Sequence, residues 1–418
     1  MGGALGIGLL DPHDDTLRNL LLMWGDMCQV TADSFISDDN SRYHGRCRYS
    51  KNSLLDQTFF PSAADYAVVE YLDALSTFLI VLKESNWMGY VAVSSDAHAE
   101  AVGRRDIYIV WRSTSRIMEI LEDITIPLVP FDDDNKYVKV MLGWRDIYNS
   151  SDPNIDFNKK RAREQLLETV KELVGKYKDE RLSIVCVGHS LGGALAILSA
   201  YDIVKQGLSK IGEEYFPVCA MTFESPRVGN QAFRDSWDQQ PNLRLLRVKN
   251  KGDPVPDYPD LGLGYVDFGT VLEVASEQSR FLKNGGGGGR KHNLQVILHT
   301  VAGWERADGG FDTTRVKRSP ALVNKDGDDL VAEFKIPASW WVEKNKGMVL
   351  DKDGDWVKKS TKCKHRFHFE KMVLKLIIFL SVILELVELH KDESLSIVCL
   401  SHSMGGALII SSAFEWII

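Results

Sequence analysis

Residues 188–192 read Gly-His-Ser-Leu-Gly, a G-x-S-x-G pattern between the apolar run "LSIVCV" and the helix-forming segment "LGGALAILSA". A serine hydroxyl becomes a nucleophile only when a base takes its proton and an acid holds that base in place. A turn between a strand and a helix suits such a serine. The glycines let neighbouring backbone approach, and the first N–H groups of the helix face the point where an oxyanion forms. The pattern predicts acyl transfer with Ser190 as the nucleophile. An unrelated glycine-rich strand-to-helix turn can carry the same five residues, so the weight rests on "SIVCV" before them and Gly193-Ala194 after them.

In this class of site the acid and then the base follow the serine along the chain. Between Ser190 and the altered C-terminal tail there are two histidines, His292 and His299. His292 comes after the glycine run Gly285–Gly289 and opens a helical segment, so its ring can reach over a sheet edge. His299 lies two helical turns further on among apolar residues, the setting of a core histidine. His292 is the expected base. For the acid, "LRLLRVKNKGDPVPDYP" puts Asp253 in the loop after a strand, and Pro254 blocks a helix directly behind it. Asp257 and Asp260 stand as alternatives and read as solvated loop carboxylates.

Those side chains need a sheet to hold them. "RDIYIVWR" (105–112), "LSIVCV" (182–187), "VCAMTF" (218–223) and "LRLLRV" (243–248) read as strands. "REQLLETVKELVGKY" (163–177) sets Leu166, Val170, Leu173 and Val174 on one helical face. This alternation predicts an α/β fold with a mostly parallel central sheet flanked by helices. A chain of 418 residues accommodates one large unit with additions, or two domains. The net charge of −8 is spread along the chain and argues against nucleic acid as a partner. Six cysteines without paired spacing make no disulfide framework, and Cys186 and Cys399 read as buried thiols. That usage, and an N-terminus without a basic leader, predict a reducing, cytoplasmic location.

The character changes near Lys359, which predicts a catalytic domain over 1–359 and a basic and apolar tail over 360–418. Within the tail, Leu395–Ala413 repeats Leu182–Ala200 at fourteen of nineteen positions, with Ser401 in place of Gly188. Fifteen residues follow Ser403, and none is Asp or His. Without a base and an orienting acid, Ser403 is expected to be inert. The apolar stretch 372–389 contains Lys375, Glu385 and Glu388 and reads as an amphipathic helix, not a span. Cys363, His365 and His368 cluster but lack a fourth ligand, so no metal is expected. "DKDGDW" (351–356) misplaces the glycine of a calcium loop and reads as a β-turn.

The segments "LLDPHDDTLRNLL", "VWRST", "GHSLGGALA", "SPRVGNQAF", "NKGDPVPDYP", "HNLQVILHTVAGW", "ALVNKDGDDL" and "PASWWVEKNKGMV" point to one family. Over about residues 7–357 the chain resembles the plant class-II phospholipase A1 group, within the class 3 lipases of the α/β-hydrolase fold. The resemblance implies a cytosolic acyl hydrolase, needing no metal or other cofactor, that removes the sn-1 acyl chain of glycerophospholipids during transient contact with a membrane surface. Neutral acylglycerols are the neighbouring substrate class, and a catalytically weak lipase-like binding protein is the rival from another class. Carried over by motif, Ser190 is the nucleophile, Asp253 the acid and His292 the base. The N–H groups of Leu191 and Thr114 are then the oxyanion donors. The family segment W-R-G-T has Ser113 here in place of glycine. Were a positive φ required at that position, the serine would strain it and weaken turnover.

Overall fold

The apolar runs pair into a single seven-stranded sheet in the computed structural model, which describes residues 9–10, 13–76, 84–114, 127–285, 288–305, 310–341 and 343–359. Its strands are β1 (Tyr66–Ser76), β2 (Glu84–Ser94), β3 (Arg105–Trp111), β4 (Leu182–His189), β5 (Val218–Phe223), β6 (Leu243–Asn250) and β7 (Thr270–Val274). They lie side by side in chain order. The two pairings that involve β2 are antiparallel, and every pairing from β3 to β7 is parallel. Parallel strands need crossovers, and helices supply them: α2 (Ala162–Lys176) leads into β4, and α3 (Leu191–Lys205) leaves it.

Helices cover both faces, which is why the central strands read as nearly continuous apolar runs. Side chains alternate between the faces along each strand. Ile107, Ile109 and Trp111 of β3 enter one core with Leu166 and Val170 of α2 and Leu195 and Leu198 of α3. Tyr108 and Val110 enter the other, with Trp24 and Met27 of α1 (Asp15–Ser34) and Leu298 and Val301 of α4 (Leu294–Gly303). Each such leucine removed from water contributes about 1.5–3 kcal/mol. α3 is buried through Val204 and so lacks the polar stripe of a surface helix.

Asp14 caps α1, its carboxylate accepting the Leu17 N–H at 2.9 Å. Its Arg18 donates to the carbonyls of Val301 and Ala302 at 3.0 and 3.2 Å, tying down the C-terminal end of α4. α4 is thus held at the end away from His292. Beyond it the chain wraps back in short 3₁₀ turns, where Lys325 makes a buried ion pair with Asp33 of α1. A hairpin of Met348–Leu350 and Trp356–Lys358 follows, and "DKDGDW" supplies its turn. The Asp351 carboxylate accepts the N–H groups of Asp353 and Asp355 there, both at 2.9 Å.

The expectations for Cys363, His365, His368, 372–389, Cys399, Ser401 and Ser403 fall on residues 360–418, outside the described residues. Among the described residues, no helix is long and apolar enough to cross a membrane.

Candidate active site

β4 ends at His189 and α3 begins at Leu191, leaving Ser190 alone in the turn with φ 58° and ψ −127°. An L-residue holds such a conformation only when its surroundings impose it. Here tightly packed backbone imposes it, and the glycines permit that packing. A Cβ on Gly188 would lie 2.0 Å from the carbonyl oxygen of Gly192, and a Cβ on Gly192 would lie 2.4 Å from that of Trp111. The second contact presses the first turn of α3 against the end of β3. The Ser190 N–H donates to the Phe223 carbonyl at 2.8 Å, which ties the turn to β5 as well.

Asp253 and His292 come from loops far along the chain and meet. Asp253 sits three residues beyond β6, in the loop before a short 3₁₀ turn, Val255–Asp257. His292 sits between the short helix Gly288–Lys291 and α4. Both are buried, and His292 Nδ1 is 2.6 Å from Asp253 Oδ2. Asp253 Oδ1 accepts the Val255 N–H at 3.0 Å. Burial alone would raise the Asp253 pKa, but the hydrogen bond and charge of His292 outweigh it and hold the carboxyl below its ordinary value. An ionised Asp253 fixes the proton of His292 on Nδ1 and leaves Nε2 as the acceptor. Ser190 Oγ and His292 Nε2 are both buried, and neither has a hydrogen-bond partner among the described residues.

His189, directly before the serine, supports the base from below. Its ring lies 4.7 Å from that of His292, and its Nε2 donates to the His292 carbonyl at 2.9 Å. Burial, reinforced by the neighbouring His292, lowers its pKa to about 3, so it is neutral.

The alternatives lie elsewhere. His299 is buried with Nε2 2.8 Å from Ser279 Oγ, and burial lowers its pKa to about 4: it is a core histidine. Asp257 is 64% exposed and pairs with Lys249 at 3.0 Å. Asp260 accepts the Gly262 N–H at 2.7 Å within its own loop. Neither approaches His292 in the way Asp253 does.

Leu191 is the first residue of α3, so its N–H belongs to the helix's unpaired first turn. Thr114 lies three residues past β3 and is half-buried. Trp111 pairs in register with Gly188, which brings the exit of β3 beside the elbow. At Ser113 the condition for strain is not met. It is not among the residues with positive φ, so its side chain sits there without left-handed strain. The Arg112 guanidinium donates to the Ser113 carbonyl at 2.8 Å and steadies that peptide.

Two residues escaped the sequence reading. Glu224, at the carboxyl end of β5, is fully buried with φ 49°, and its Oε1 accepts the Asn250 N–H at 2.5 Å. Its carboxyl also contacts Asp253. Asn250 donates from Nδ2 to the Lys291 carbonyl at 2.9 Å and to Ser276 Oγ at 3.0 Å, joining the acid's loop to the base's loop. The one available signal was a carboxylate directly after the apolar run "VCAMTF".

A mostly parallel sheet bearing a strained serine at a strand-to-helix turn, with an Asp–His pair on later loops, defines the serine-type α/β-hydrolase fold. The family model described as lipase (class 3) matches residues 108–262, a span that includes Thr114, Ser190, Leu191 and Asp253 and stops short of His292. Phospholipase A1-II 5 of Oryza sativa subsp. indica is 48% identical over 377 residues, covering 85% of this chain and 81% of its own. Phospholipase A1-IIdelta of Arabidopsis thaliana is 44% identical over 386 residues, covering 84% and 92%. The chain belongs to the plant class-II phospholipase A1 family. Among solved structures it matches the triacylglyceride lipase of Rhizomucor miehei with a TM-score of 0.43 and 21% identity, over 62% of this chain and 80% of that one.

Proposed function

We propose that the protein is a serine acyl hydrolase that cleaves the sn-1 ester of glycerophospholipids. The buried 2.6 Å contact between Asp253 and His292 carries the reading, because it fixes a base whose free nitrogen must take a proton. Ser190 Oγ attacks the ester carbonyl while His292 Nε2 accepts its proton. Asp253 stabilises the imidazolium, and the N–H groups of Leu191 and Thr114 hold the oxyanion. His292 then passes the proton to the departing lysophospholipid oxygen. Water, deprotonated by the same nitrogen, releases the fatty acid and restores Ser190.

Two further parts of the reading have support on the molecule. Leu261 and Leu263, 53% and 54% exposed on the loop after Asp253, offer apolar contact to a membrane surface. The four described cysteines are free, in keeping with a cytosolic location. The backbone at Ser113 lies outside the positive-φ region, which weighs against an inactive binding protein.

A fluorophosphonate probe combined with a lipid panel tests the proposal. The expected result is labelling confined to Ser190 and release of sn-1 fatty acid from glycerophospholipids. Folded protein that takes no label overturns the enzyme, and turnover of neutral acylglycerols alone overturns the substrate class.

A further inference from the structure

Glu224 poses a problem of charge. Its carboxyl is fully buried against that of Asp253, also buried, in an interior where two adjacent negative charges repel strongly. One of the pair keeps a proton. Asp253 has two donors of its own, the Val255 N–H on Oδ1 and His292 on Oδ2. Glu224 has the Asn250 N–H on Oε1, while Oε2 finds no donor among the described residues. A proton on Oε2 satisfies that atom and removes the repulsion in one step.

We propose that Glu224 is a positioning residue for the acid of the triad: neutral in the folded protein, it donates its O–H to the Asp253 carboxylate. Asp253 is then gripped from three sides, by Val255, His292 and Glu224. Its remaining freedom is rotation about its own side chain, which would turn Oδ2 away from His292, and the third donor opposes that rotation. Glu224 is itself held, because its N–H donates to the Val248 carbonyl at 3.0 Å and its backbone is fixed at positive φ. Burial, first, and the Asp253 charge, second, both push its carboxyl well above the ordinary carboxylic range, in keeping with the neutral form.

The inference rests on the Ser190–His292–Asp253 reading and is tested separately from it. Glu224→Gln presents the same acceptor to Asn250 and a donor to Asp253, so it keeps kcat within about threefold of wild type. Glu224→Leu removes the donor and lowers kcat by about 10- to 100-fold with KM unchanged. The infrared difference between wild type and Glu224→Gln at neutral pH shows the C=O band of a protonated carboxylic acid. That readout holds even if the leucine variant does not fold. Absence of the band, a Gln variant as impaired as the Leu variant, or a fully active Leu variant overturns the proposal while leaving Ser190 labelling intact. Turnover surviving in Ser190→Ala would instead sink the triad reading, whatever Glu224 does.

Discussion

At Gly188, in the first elbow, an added Cβ would lie 2.0 Å from a backbone oxygen, while the second elbow carries Ser401 at the corresponding position. The two stretches otherwise agree at fourteen of nineteen positions, and both keep the histidine, the serine and the glycine pair behind it. The first elbow is followed along the chain by Asp253 and His292, and the second by fifteen residues without Asp or His. The pair therefore poses a testable contrast between a motif and its reactivity. The serine and its turn are local, whereas the acid and the base arrive from loops that only the complete sheet brings together.

The largest test of that contrast exchanges the serines for alanine in turn. Ser190→Ala is expected to lower kcat by about 10⁶, and Ser403→Ala to leave it unchanged, measured on dispersed phospholipid. Restoring the tail glycine in a Ser190→Ala/Ser401→Gly double variant should still give no fluorophosphonate label, and labelling at Ser403 would break the comparison. Next comes the acid. Asp253→Asn is expected to lower kcat by about 10⁴ by misdirecting the His292 proton, while Asp257→Asn leaves it unchanged.

Placing the second copy's residue into the first sharpens the comparison further. Gly188→Ser pushes the Gly192 carbonyl, and with it the first turn of α3, off β3. Displacing the Leu191 N–H costs about 10²-fold in kcat, and the crowding costs about 1–3 kcal/mol, read as a lowered Tm. Wild-type turnover in this variant would show that Ser401 is no obstacle to an elbow.

The smallest effect concerns His189, whose ring lies 4.7 Å from that of His292. The folded protein refuses a proton there down to about pH 3, while the unfolded chain accepts one near the ordinary histidine value of 6.5. The unfolded state thus binds more protons across that window, so this residue leaves stability intact above pH 6.5 and erodes it as the pH falls. His189→Gln removes that slope, a difference of about 2 kcal/mol between pH 6.5 and 5 in urea unfolding. Parallel curves for the two proteins would mean that His189 titrates normally.

Much of this was legible beforehand for a physical reason: periodicity and turn chemistry are local. The runs around Ile107, Ile184 and Leu245 announced strands, and Gly188 and Gly192 announced the elbow. Pro254 marked Asp253, and the apolar neighbours of His299 marked it as core. Strand ends were less visible, because β4 and β6 continue through polar residues, His189 and Asn250, whose backbones pair while their side chains serve the site. Ser113 was left open because a side chain in place of glycine does not reveal the φ beneath it. Glu224 showed only as a carboxylate behind an apolar run, since its interaction with Asp253 is one that no local pattern encodes.

The base is clamped from the strand side, through the His292 carbonyl by His189 and through the Lys291 carbonyl by Asn250. The glycines that precede it are thereby relieved of any aiming duty. An insertion of several residues at Gly285–Gly289, or a genetically encoded tag placed there, should be accepted at full turnover, which makes this stretch a natural handle for watching the enzyme at a lipid surface.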